Sequence, residues 1–176
     1  MSILSEFFAA TASELEAMSL EWGPAPPPPQ PPKASRGFFG FGRKSAVPEA
    51  LAEPAGPTLP SVAASGILEI HVGILDKVVT GTPYDVLEQG GRPTMVRDNG
   101  EDGPWVFPIR RELRDGLSHL DDGTSTAVAQ RWADDEDVHA RDEVEKRAIQ
   151  GLLDELRGLA ATAVATNRDL FLWVSL

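Results

Sequence analysis

Carboxylates are the side chains of this sequence that stand close enough together to do chemistry. Seven of them fall within the twelve positions from 134 to 145, namely Asp134, Asp135, Glu136, Asp137, Asp142, Glu143 and Glu145. Such a group of oxygen ligands could hold a hard cation, but no glycine stands where the sharp turn of a calcium loop needs one. The pattern therefore favours a solvated acidic surface, or an interaction face for a basic partner, over a metal site.

The three histidines, His71, His119 and His139, form no i, i+4 pair that could bind zinc from one helix. We expect them to be structural or surface residues. Ser118 directly precedes His119, which would suit a nucleophile and its base only if both side chains pointed the same way. Adjacent helix positions point about 100° apart, so no catalytic pair is predicted here.

Residues 37–45 come close to a phosphate-binding loop. Arg43 separates Gly42 from Lys44, whereas that loop needs its glycine and lysine to be adjacent. Proline-rich chain precedes the segment in place of a strand, so nothing would aim its backbone amides at a phosphate. Nucleotide binding is therefore not expected, and no cofactor is predicted.

A ligand pocket could still be assembled by the fold from residues that are distant in sequence. His71, Tyr84, Trp105 and Arg110 are the candidates to line it, because they combine polar groups with aromatic surface. The simpler interpretation makes Arg110 a cation at a helix start that faces neighbouring acids, and Trp105 an aromatic residue of the core.

The composition narrows the range of partners. The 176 residues carry 27 Asp and Glu against 16 Lys and Arg, which gives a formal net charge of −11. Nucleic acids and anionic membranes attract Lys and Arg, so this charge argues against both and favours a basic protein. Cysteine is absent, which removes disulfides and thiolate chemistry. The sequence has no apolar run of about 18 residues and no secretory signal pattern at its start, so we expect a cytoplasmic protein.

Proline divides the chain. Eleven of the 15 prolines lie between Pro24 and Pro60, in a stretch without apolar periodicity. Because proline removes backbone donors and favours extended chain, residues 24–60 are predicted to be a flexible insert in one domain formed by residues 1–23 and 61–176. The insert carries Phe38, Phe39 and Phe41 beside four cations, so it could be either a solvated spacer or a docking peptide.

Apolar spacing predicts the elements that flank the insert. Residues 3–8 suit a short strand, and Thr11 with Glu14 matches a capping box for a helix over 12–20. After the insert, apolar positions at intervals of three and four predict a helix over 67–80. Thr82 and the proline after it favour the start of a second, short helix.

A hairpin and two helices are predicted next. Residues 94–96 and 105–107 read as two short strands joined by a turn with glycines. A helix through Leu113, Leu117 and Leu120 follows, residues 121–123 break it, and another helix begins near Ala127.

The clearest periodic element lies near the C-terminus. Its apolar stripe consists of Val144, Ile149, Leu152, Leu153, Leu156, Leu159, Ala160 and Ala163. Asn167 suits a left-handed cap, and residues 170–176 suit a strand buried on both faces. Together these elements predict an α+β domain in which a small mixed sheet, made of an N-terminal strand, a central hairpin and a C-terminal strand, packs against four or five helices.

The order of these elements resembles the YfbM-like family of small bacterial proteins. The similar pieces include Ser13-Glu14-Leu15-Glu16, Leu68-Glu69-Ile70, Val78-Val79-Thr80-Gly81-Thr82, the Glu101-Asp102-Gly103 turn and the closing Leu170-Phe171-Leu172-Trp173-Val174. The resemblance covers most of the chain outside residues 24–60. It implies an α+β fold and supplies no activity.

These observations favour a binding protein without catalysis. We expect its acidic face to occupy a basic site on a partner protein, as immunity proteins do against nucleases. The residues predicted to bind the partner are Asp121, Asp122, Asp134, Asp135, Glu136, Asp137 and Asp142. The alternatives are a small enzyme or ligand-binding domain whose site forms only in the fold, and an adaptor that works through residues 24–60.

Overall fold

The computed structural model describes residues 3–20, 23–24, 59–64, 66–83, 95–98 and 103–176. Apart from Pro24, Leu59 and Pro60, the predicted insert lies outside these residues, and so does the stretch after Pro83 where a short helix is expected. The strands are β1 (Leu4–Ala10), β2 (Ser61–Ala63), β3 (Arg97–Asp98), β4 (Trp105–Pro108) and β5 (Asp169–Ser175). The helices are α1 (Ala12–Ala17), α2 (Glu69–Thr80), α3 (Arg111–Ser118), α4 (Asp122–Ala133) and α5 (Glu143–Ala165).

The described strands form one sheet in the order β2-β1-β5-β4-β3. Its centre is the pairing of β1 with β5, which runs from Leu4 opposite Ser175 to Ala10 opposite Asp169. The α+β class is confirmed. The strand directions differ from those of a mixed sheet, because all four described pairs are antiparallel.

The two faces of the sheet bury different sets of side chains, because successive residues of a strand point to opposite faces. Leu170, Leu172 and Val174 of β5 belong to the larger core, under the helices, while Phe171 and Trp173 belong to a smaller cluster on the other face. Five consecutive residues of β5 are buried, which confirms the prediction of a terminal strand buried on both faces.

Helix α5 supplies the longest part of the helical layer. Leu153, Leu156, Leu159, Ala160 and Ala163 are its buried residues, at the predicted spacing. Val144 was assigned to the same stripe, and this is wrong, because its side chain is 68% exposed. Five positions separate Val144 from Ile149, which places the two about 140° apart around the helix.

Several boundaries differ from the predicted ones. Helix α1 ends at Ala17, because Met18 leaves the helical conformation and its side chain is buried. Helix α4 begins at Asp122, since the preceding Asp121 caps it. In the hairpin, β3 comprises residues 97–98, one position beyond the predicted strand.

The capping box of α1 is formed as predicted and extends into an ion pair. The Glu14 amide donates to Thr11 Oγ1 at 3.3 Å, and the Thr11 amide donates to Glu14 Oε2 at 2.8 Å. Arg168, just before β5, also donates to both Glu14 oxygens, at 2.9 and 2.7 Å. These hydrogen bonds, first of all those from Arg168, lower the pKa of Glu14 to about 2.

The lowered pKa predicts how acid weakens the fold. Glu14 stabilises the folded state fully above its ordinary pKa of 4.5, and this contribution is lost as the pH falls towards about 2. Because the carboxylate is a quarter exposed, we expect Glu14→Gln to lower the free energy of unfolding by about 1–2 kcal/mol near neutral pH. The difference should shrink across that acid range in urea titrations. Glu16→Gln, which removes an exposed carboxylate from the same helix, is the control, and an equal loss in both variants would contradict the prediction.

Candidate functional site

The seven carboxylates predicted to bind a partner lie at opposite ends of α4. Asp121 and Asp122 begin the helix, whereas the other five belong to the α4–α5 loop, residues 134–142. Twelve helical residues span about 18 Å. The structure therefore divides the predicted surface into two groups of acids that cannot contact the same side chain of a partner.

The acids at the start of α4 have partners within the chain. Asp121 Oδ1 accepts a hydrogen bond from the Thr124 amide at 2.7 Å, and this bond lowers the pKa of Asp121. Asp122 pairs with Arg157 of α5 at 3.1 Å, and the same guanidinium donates to the Leu120 carbonyl. This group caps α4 and fastens it to α5.

Three acids of the α4–α5 loop are also engaged. Asp134 accepts a hydrogen bond from Lys146 Nζ at 2.8 Å, and Asp135 lies 3.8 Å from Lys77 Nζ of α2. Asp142 caps α5, because its Oδ1 accepts from the amides of Val144 and Glu145 at 2.8 and 2.9 Å. These carboxylates hold the loop between three helices.

Glu136 and Asp137 are different. Both are exposed, and neither carboxylate has an ion pair or side-chain hydrogen bond within the part of the chain that the structure describes. The loop below them is well bonded: the His139 amide donates to the Asp135 carbonyl at 2.8 Å and the Ala140 amide to the Ala133 carbonyl at 3.2 Å. The loop thus holds two uncompensated carboxylates outward on a fixed backbone, and we call this pair the acidic tip.

Metal binding finds no support in the same region. Among the described residues no group of three or more His, Asp or Glu side chains is arranged to hold an ion. Asp134, Asp135 and Asp142 instead bind three different partners.

The four residues proposed to line a ligand pocket have separate roles where they are described. His71 Nδ1 accepts a hydrogen bond from the Leu68 amide at 3.0 Å, which caps α2, and Trp105 packs on the larger core. Arg110 Nη1 donates to Asp76 Oδ2 at 3.1 Å. Tyr84 lies outside the described residues. Arg110 binds Asp76, which is five positions after His71 in α2. The side chains of His71 and Asp76 therefore point about 140° apart around the helix.

Asp76 is a residue that sequence reasoning missed. It is only 4% exposed, beside Ile74 and Leu75, and it accepts hydrogen bonds from Arg110 and from the Thr80 hydroxyl. Burial raises its pKa, although Arg110 opposes this effect. The available signal was its position four residues after Val72, within an apolar stripe of the helix.

A shallow depression lies beside Arg110, where β4 leads into α3. It has a volume of about 390 Å³ and is lined by Pro108, Ile109, Arg110, Arg111, Glu112, Asp169, Leu170 and Phe171. Its cations are already paired: Arg111 donates to both oxygens of Asp169 at 3.0 and 3.2 Å, and Arg110 lies 3.4 Å from Glu112. Two guanidinium groups and two carboxylates line it, so their formal charges cancel.

Ser118 and His119 do approach each other, contrary to the expectation that adjacent positions diverge. Ser118 Oγ lies 3.0 Å from Nδ1 of His119, the C-cap of α3. However, Nδ1 also lies 2.6 Å from the Asp115 carbonyl oxygen, which can only accept, so Nδ1 carries the proton. Ser118 itself donates to that carbonyl at 2.8 Å. The imidazole therefore cannot take the serine proton at this nitrogen.

Comparisons with family models, with curated proteins and with solved structures gave no match for this chain. The resemblance to the YfbM-like family thus stays a prediction. None of the helices in the described residues is long and apolar enough to cross a membrane. The loop of residues 37–45 lies outside the described part of the chain.

The free energy of unfolding should distinguish the acids that have partners within the chain from those that do not. Asp142→Ala removes the cap of α5 and should lower the free energy of unfolding by about 0.5–2 kcal/mol. Asp137→Ala removes an equal charge from the acidic tip and should change it by less than about 0.5 kcal/mol. Chemical denaturation of both variants measures the two values, and equal losses would show that the tip also supports the fold.

The raised pKa of Asp76 predicts an opposite pH dependence from that of Glu14. Since the folded state binds the Asp76 proton more tightly than the unfolded chain, wild-type stability gains over Asp76→Asn as the pH falls through the raised pKa. Denaturant titrations of the two proteins from neutral to acid pH follow this difference. A shift in favour of the variant on acidification would mean that the Arg110 pair outweighs the cost of burial.

Proposed function

We propose that this chain is a protein-binding module that presents the acidic tip, Glu136 and Asp137, to a basic site on a partner protein. The partner class includes nucleases, whose cationic grooves an immunity or inhibitor protein fills with carboxylates. The module works in the cytoplasm, without a cofactor and without catalysis, and it does not bind nucleic acid or membranes.

The observation that carries this proposal is that the two carboxylates of the acidic tip have no ion pair or side-chain hydrogen bond among the described residues. A carboxylate with an internal cation must give up that contact before it can serve a partner, whereas a free exposed carboxylate loses only water. Glu136 and Asp137 are exposed and free, while Asp134, Asp135 and Asp142 hold the loop. The acids with internal partners thus hold the loop in place, and the acidic tip contacts the partner protein.

The net charge of −11 also favours a basic partner. A strongly negative protein attracts a cationic partner over several ångströms and accelerates the encounter, and salt screens this attraction. The ordered backbone of the loop adds to the effect, because a preorganised contact loses little conformational entropy on binding.

The alternative function, a ligand-binding or catalytic site, has less support in the described residues. His71, Trp105 and Arg110 each have a structural role there, and the depression beside Arg110 is lined by charges that already neutralise one another. Neither feature leaves a free polar group directed at a ligand.

The experiment compares two variants of equal charge. Glu136→Gln with Asp137→Asn removes the tip, and Glu16→Gln with Glu155→Gln removes two exposed carboxylates elsewhere. The partner is captured from cytoplasmic extract on the wild-type protein, purified, and titrated with all three proteins by calorimetry. We expect the tip variant to weaken the dissociation constant at least about tenfold, or 1.4 kcal/mol, and the control to change it much less.

Three results would contradict the proposal. Equal weakening by both variants would mean that binding follows net charge alone, and undiminished binding by the tip variant would place the contact elsewhere. A captured partner with an acidic surface would also count against it.

A further inference from the structure

The two faces of the sheet are covered unequally. Helices α2 to α5 lie over one face, and their core contains 19 buried residues. Among the described residues, the other face is covered by Leu59 and by α1 with the chain that follows it. We call this chain, residues 12–20 and 23–24, the strap. The buried sheet residues on this side are Phe8, Ala10, Val106, Phe171 and Trp173.

Aromatic residues dominate the face under the strap. The rings of Phe8 and Phe171 stack with their centroids 5.4 Å apart. Trp173 is 8% exposed and Phe171 is 7% exposed. From the strap, Met18 is buried against this cluster, and Leu15 and Leu20 pack at its edge.

Side chains of the sheet hold the strap through its carbonyl groups. Arg97 Nη1 donates to the Leu15 and Met18 carbonyls at 2.7 and 2.6 Å. Trp173 Nε1 donates to the Leu20 carbonyl at 3.0 Å. These bonds join the strap to β3 and β5 and do not involve the helical layer.

Gly23 brings the backbone of the strap against the indole ring. Its φ is +67°, and an added Cβ would lie 3.1 Å from both Cδ2 and Cε2 of Trp173. A larger residue here meets both the strain of the left-handed conformation and contact with the ring.

We propose that the strap opens as a unit while the sheet and the helical layer stay folded, which exposes the aromatic face of Phe8, Phe171 and Trp173. Opening breaks the Glu14–Arg168 ion pair, the hydrogen bonds to the strap carbonyls and the packing of Met18, whereas global unfolding also loses the larger core. Units with few buried contacts open at a lower free energy than the whole domain. The opened state adds an apolar surface that the closed protein hides, on the face of the sheet opposite the larger core.

Two indole N–H groups allow a direct test. Trp173 Nε1 donates to the strap, whereas Trp132 Nε1 donates to the His71 carbonyl at 3.0 Å in the helical layer. Hydrogen exchange followed by NMR, with resonances assigned through Trp→Phe variants, compares the two. We expect the Trp173 indole to exchange at least about tenfold faster, with a weaker dependence on urea because the opening exposes less surface. Equal rates with equal urea dependence would overturn the proposal.

Gly23→Ala supplies the second arm of the test. Left-handed strain should favour the open strap and raise the Trp173 exchange rate by about 5- to 30-fold, with the Trp132 rate unchanged. Gly66→Ala is the matched control, because Gly66 also has a positive φ, of +83°, but an added Cβ there meets no atom within 4 Å. Equal acceleration of both indoles in Gly23→Ala, or no acceleration of Trp173, would overturn the proposal.

Discussion

The antiparallel pairing of β1 with β5 is the contact on which the other parts of the described structure depend. Seven consecutive residue pairs join the two strands, from Leu4 opposite Ser175 to Ala10 opposite Asp169. This pairing makes β5 the middle strand, so both of its faces need a cover. The helical layer covers one face and the strap covers the other. Arg168, next to β5, reaches back to Glu14 and fixes the start of the strap to the same strand.

Charge in this protein serves two purposes that sequence alone does not separate. Most carboxylates near α4 cap a helix or pair with a cation of another helix, as Asp121, Asp122, Asp134 and Asp142 do. Such pairs contribute modestly to stability, and they join α4 and the loop after it to α2 and α5. The frame they form leaves Glu136 and Asp137 pointing to solvent. Of the seven carboxylates predicted to bind a partner, only these two are thus free among the described residues.

Much of the secondary structure was predictable because it follows from local rules. The capping box at Thr11, the stripe of α5 and the left-handed Asn167, with a φ of 52°, are each encoded within a few residues. The failures are also local in origin. Val144 is apolar but lies off the stripe, and Asp121 was interpreted as part of a break although it caps the next helix. An apolar residue of a helix can be buried or exposed, and an aspartate can end one helix or cap the next. Only the contacts in the folded structure decide between these alternatives.

The candidate site was less predictable than the fold. Composition identified the acids, but the 12-residue length of α4 separates them into two groups, and cations as distant as Lys77 and Arg157 neutralise some of them. Asp76 was not noticed because its partner, Arg110, is 34 positions away in sequence. Ser118 and His119 meet although they were expected to diverge, and both side chains also lie against the Asp115 carbonyl.

By itself, the sequence determined the α+β class, the approximate positions of the described helices and the acidic character of the chain, because periodicity, capping and charge are local or additive properties. Only the tertiary structure decided the antiparallel order of the strands, the unequal cover of the two sheet faces and the identity of the free carboxylates. The physical reason is that pairing, burial and charge compensation each need two groups to meet in space, and here the partners are often more than 30 residues apart in the chain.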